Sequence, residues 1–83
     1  MSTTAVTPEA AQRVITDALA DVGAERDAIT TDATFESLDV DSLDLAEVSQ
    51  VIEEELGVKL GGKDVAAIKT VGDGVELVVS RAG

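Results

Sequence analysis

The sequence predicts an all-α domain: three main helices, one short helix before the last of them, and a long loop between helices one and two. Three observations predict it. Apolar residues recur at three-to-four spacing in three separate runs, the mark of helices with one buried face. Gly23, Gly57 and the pair Gly61-Gly62 fall just beyond or between those runs, where helices stop. The valine-rich stretch near the C-terminus has no convincing second strand to pair with, so helix is the better assignment there than strand.

Thr7-Pro8-Glu9 reads as a helix start, with a capping hydroxyl, proline at the first helical position and an early acid. Ala11, Val14, Ile15, Ala18, Leu19 and Val22 follow on one face, predicting helix one over about 8–22, behind a flexible tail, 1–6. The connection from Ala24 to about Asp41 exceeds the roughly 12–15 residues usual for a structureless loop in a compact domain. Ile29, Phe35, Leu38 and Val40 are apolar anchors within it, so an ordered loop pinned across the bundle is expected, with disorder as the alternative.

Helix two is predicted from Asp41 or Ser42 to Leu56. Leu45, Val48, Ile52 and Leu56 trace one face, with Val51 beside it. Asp44, Glu47, Gln50, Glu53 and Glu54 lie opposite, bordered by Leu43 and Ala46. A short helix follows around Lys63–Ile68. Thr70-Val71-Gly72-Asp73 then has the hydroxyl-x-x-acid form of a capping box, opening a helix over about 71–80 that presents Val71, Val75, Val78 and Val79. Gly72 and Gly74 each weaken that helix by roughly 1 kcal/mol relative to alanine. There are no internal repeats, and residues 1–83 are expected to form one domain.

Composition narrows function. Seventeen acids face six bases, a net charge of −11. That charge repels nucleic acid and anionic membranes and favours basic protein surfaces. Histidine and cysteine are both absent, which removes the commonest general base, the best nucleophile and most zinc ligands. The acids of "DVDSLD" faintly suggest a calcium loop, but the required glycine and glutamate positions hold Asp44 and Gln50, so no metal site is expected. The N-terminus has neither a basic segment nor a long apolar run, and a cytoplasmic protein is the expectation.

Ser42 is the residue that asks for an explanation. A serine before an apolar helix is ordinarily an N-cap. Asp41 can do the same work, with Asp44 as its reciprocal partner. Ser42 would then stand at the first helical position, its hydroxyl free and outward, beside unpaired amides that favour an anion. The neighbouring carboxylates oppose an anion there, and spacing alone does not decide between the two.

"DSLDLAEV" resembles the attachment motif of acyl carrier proteins. The resemblance extends through "ATFESLDVDSL", "VIEEELGVKL" and "DVAAIKTVGDGVELV", nearly the whole chain. It implies a four-helix bundle whose serine, here Ser42, receives 4′-phosphopantetheine from coenzyme A, with Asp41 and Leu43 completing the motif read by a phosphopantetheinyl transferase. It further implies that Asp44, Ala46, Glu47, Gln50 and Glu53 face basic patches on partner enzymes, acyltransferases and ketosynthases among them. Leu45, Val48, Ile52, Leu56, Ile68 and Val75 would line a core that an acyl chain can enter. The protein would be a freestanding monomeric carrier of fatty acid or polyketide synthesis, catalysing nothing itself. The competing expectation is an acidic interaction module that is never modified. Asp39 stands where members of the family often carry glycine, Gly61 where proline is common, and Gln50 where the contact position is frequently apolar.

Overall fold

Side-chain caps start the three main helices, and the computed structural model, which describes residues 6–82, has each of them in place. The Ala10 N–H donates to Thr7 Oγ1 (3.1 Å), opening α1, Pro8–Asp21. Asp41 opens α2, Ser42–Leu56. The Asp73 N–H donates to Thr70 Oγ1 (3.0 Å) while the Thr70 N–H donates back to Asp73 Oδ2 (3.2 Å), and α4 runs Val71–Ala82. Between them lies the short α3, Gly62–Ala67. The four-helix architecture read from periodicity is therefore the architecture observed among the described residues.

The boundaries differ from expectation by a residue or two, for local reasons. α3 begins at Gly62 because the Asp64 carboxylate accepts the Gly61 N–H (3.0 Å) and starts the turn there. α4 continues past residue 80 to Ala82, with no breaker in Ser80-Arg81 and with Arg81 held by Asp64 of α3. α2 ends where expected, on Gly57 with φ 70, its N–H donating to Glu53 O (2.9 Å). The expected flexible tail, 1–6, lies outside the described residues except for Val6. Val6 is half-buried and packs against the core.

The core is aliphatic around one ring. Ile15 and Leu19 of α1 and Val71 and Val78 of α4 are fully buried, joined by Val48 and Ile52 of α2. α1 packs on both α2 and α4, whereas α3 leans on α2 and buries none of its own side chains. No described helix is long and apolar enough to cross a membrane.

The long loop is ordered, as its apolar anchors required. Ile29, Phe35 and Val40 are buried and Leu38 half-buried. Its backbone is tied to the entry of α4: the Phe35 N–H donates to Lys69 O, the Val71 N–H to Ala33 O and the Gly72 N–H to Thr31 O, each at 3.0 Å. A 3₁₀ turn, Arg26–Ala28, takes up part of its length. Asp39 adopts φ 58, the left-handed conformation. Aspartate tolerates that region better than most side chains, which explains how it serves where a glycine would be easier.

Candidate functional site

Which residue caps α2 is decided at its start. Asp41 is the N-cap: the Asp44 N–H donates to Asp41 Oδ1 (2.9 Å), and the Asp41 N–H donates to Asp44 Oδ2 (3.4 Å). The capping box is complete without the serine. Ser42 is the first helical residue, exposed, its hydroxyl not used in the cap. The amides of the first turn lack partners within the helix, and they lend this end its partial positive charge.

Leu43, next to Ser42, is 80% exposed, an unusual position for a leucine in a chain with an aliphatic core. Ala46, Glu47, Gln50 and Glu53 are also exposed, so the expected contact face of α2 is open to solvent from Leu43 to Glu53. Asp44 takes the reciprocal capping position that its spacing from Asp41 predicts. It is half-buried and its carboxylate belongs to the cap, so it supports the helix start. Glu53, Glu54 and Glu55 crowd the last turn of α2, where no base accompanies them and where negative charge opposes the helix dipole.

A groove of about 330 Å³ opens beside Ser42, between α2 and α3, floored by Leu45, Ser49, Leu60 and Val65. The same four residues form one wall of a narrow apolar void of about 10 Å³ deeper in the bundle, room for roughly one water. Ile15, Phe35, Val48, Ile52, Ile68 and Gly74 complete that void. Of the six residues expected to line an acyl-chain core, Leu45, Val48, Ile52 and Ile68 meet here. Leu56 and Val75 do not: Leu56 lies half-buried at the far end of α2, and Val75 is buried in the core beside the void. Sequence reasoning missed Ser49, Leu60, Val65 and Gly74. Ser49 carries the hydroxyl on the shared wall, and that hydroxyl donates to Ala46 O (2.8 Å).

α3, the outer wall of the groove, is fastened electrostatically. Arg81 Nη1 donates to Asp64 Oδ1's sister oxygen, Oδ2, at 3.1 Å, and the second guanidinium nitrogen pairs with Oδ1. The Gly61 amide, and after it the Arg81 guanidinium, hold the Asp64 carboxyl below the usual carboxylate range. Among the described residues no three carboxylates converge as a metal site would need.

The family model described as a phosphopantetheine attachment site matches residues 13–78, most of the chain. The chain belongs to that family. Its members bear covalent 4′-phosphopantetheine, so this all-α bundle is a phosphopantetheine-carrying carrier protein. The matched span runs from α1 to α4 and includes the capped start of α2, the groove and the void. The residues at the start of α2 fit the group: a free hydroxyl, an outward position and an amide-rich helix end.

Proposed function

We propose that Ser42 is the attachment residue, and that the protein holds acyl groups, saturated ones above all, and delivers them to enzymes of fatty acid or polyketide synthesis. The observation that carries this is the division of labour at the start of α2: Asp41 caps, and the Ser42 hydroxyl is left exposed. The group supplies the thiol, missing from a cysteine-free chain, on which acyl groups are held as thioesters.

The chain's own residues do three things. The amides at the start of α2 favour a phosphodiester on Ser42, against the opposing charges of Asp41 and Asp44. Leu43, Ala46, Glu47, Gln50 and Glu53 offer an exposed acidic face with one apolar end, suited to basic patches on a phosphopantetheinyl transferase, acyltransferases and ketosynthases. The glutamates at the negative end of α2 support the same partners, since a basic surface relieves a repulsion the free protein bears. Finally, the groove leads from Ser42 to the apolar void. Burying a chain there contributes up to about 0.8 kcal/mol per methylene, less the cost of parting α3 from α2. A polar, multiply carbonylated chain would lose its hydration in that lining without replacement partners, and stays outside.

The test is intact mass after incubation with coenzyme A and a promiscuous phosphopantetheinyl transferase. The wild type gains one phosphopantetheine. Ser42→Ala gains none and keeps its helical circular dichroism, because Asp41 still caps α2. An unmodified wild type, or a modified alanine variant, rejects the assignment.

A further inference from the structure

Two glycines, Gly72 and Gly74, stand inside α4, where glycine is the weakest helix former after proline. Packing accounts for one of them. A Cβ on Gly72 would meet the Thr31 carbonyl oxygen at 3.0 Å, the oxygen that accepts the Gly72 N–H. A side chain there would push the loop back by a few tenths of an ångström.

Gly74 has no such cause. It is buried, and its φ is not positive. A Cβ there would lie 3.6 Å from Ile68 Cδ1, 3.7 Å from Ile15 Cδ1 and 3.8 Å from Phe35 Cζ, all ordinary contact distances. The closed bundle would accept alanine and gain both helix propensity and dispersion contacts from it. What the missing methyl leaves is space. Gly74, with Ile15, Phe35, Val48, Ile52 and Ile68, lines the void but not the groove beside Ser42, so it lies on the side of the void away from the groove.

Resting on the assignment of Ser42 and an acyl cargo made above, we infer that Gly74 sets how deeply a saturated chain enters the bundle, and so the chain length the carrier holds best. A methyl at this position occupies the place of the chain's terminal carbons, while the groove and the upper void, walled by Leu45, Ser49, Leu60 and Val65, are untouched. Short chains are therefore indifferent to Gly74 and long ones depend on it.

The experiment compares thermal unfolding of wild type, Gly74→Ala and Ile15→Val, each unloaded and each loaded from octanoyl- or dodecanoyl-coenzyme A by a promiscuous phosphopantetheinyl transferase. Unloaded Gly74→Ala should melt higher than wild type, by roughly 4–8 °C for a domain of this size. Wild type should gain more from dodecanoyl than from octanoyl. Gly74→Ala should keep the octanoyl gain and lose the extra dodecanoyl gain. Ile15→Val, which removes the Cδ1 facing the same space, should enlarge that extra gain. Equal gains in wild type and Gly74→Ala at both lengths overturn the inference, as does an unloaded Gly74→Ala that melts below wild type. A wild type that gains nothing at either length overturns the buried acyl cargo itself, and with it the role of Gly74.

Discussion

The frame of α1, α2 and α4 and the short α3 are held by different physics. Ile15, Leu19, Val48, Ile52, Val71 and Val78 lock the frame by burial. α3 buries no side chain, touches chiefly α2, and is fastened by Asp64 to Gly61 and Arg81. Burial of aliphatic side chains carries no charge to screen or titrate. A solvated ion pair and a single amide bond are screened, titratable and weak. One wall of the groove beside Ser42 is thus held by fewer buried contacts than the other.

Leu19→Ala strikes the rigid side. Leu19 is fully buried, and its loss should destabilise by about 2–5 kcal/mol through lost transfer energy and the cavity left behind. Denaturant unfolding measures this directly. A cost under about 1 kcal/mol would mean that the frame is no firmer than α3, and the contrast would collapse.

Val65→Ala is the matched truncation on the loose side. Val65 is half-buried and lines both groove and void. With part of its surface already in water, the cost should stay below about 1.5 kcal/mol. A cost equal to that of Leu19→Ala in the same assay would show α3 to be part of the cooperative core.

Charge gives the finest comparison. The Gly61 amide and Arg81 depress the Asp64 carboxyl, and the Lys69 and Thr70 amides depress that of Asp73 at the entry of α4. A folded pKa below the unfolded one means that the unfolded chain takes up its proton first. The stabilisation is therefore present above an unfolded value of about 4, and it drains away as pH falls through the depressed folded values. On acidification, ¹³Cα shifts of Val65 and Ala66 should lose their helical values before those of Leu19 and Val78. At neutral pH, Arg81→Gln should speed amide exchange in α3 by roughly twofold to fivefold and leave the core of α1 unchanged. Simultaneous loss in both regions would contradict the division.

Much of this was legible in the chain before any coordinates. Thr7, Asp41 and Thr70 announce helix starts, and Gly57 a stop, because capping chemistry acts within three or four residues. Leu45, Val48 and Ile52 were placed on the inner face by their spacing. Phe35 and Val40 marked the long loop as ordered, since apolar side chains of that size seek burial. Asp44 was legible as the reciprocal partner of Asp41 from its spacing, whereas its half-burial was not, because periodicity reports direction from the helix axis and not accessibility. Leu56 and Val75 share an inner face with their neighbours yet do not line the void, since a face spans several turns and the void only a few ångströms. Gly74 did leave a trace, as a helix-weakening residue in a run of valines, although its purpose was invisible there.

Amino-acid order was enough for the all-α class, the helix limits to within a residue or two, and the candidacy of Ser42, because each rests on chemistry among near neighbours. Three-dimensional packing settled what Arg81 grips seventeen residues away, how the long loop ties to the entry of α4 and where the bundle keeps its empty space. Those outcomes depend on atoms brought together from distant segments, and no local pattern encodes a distance between residues that meet only when the core closes.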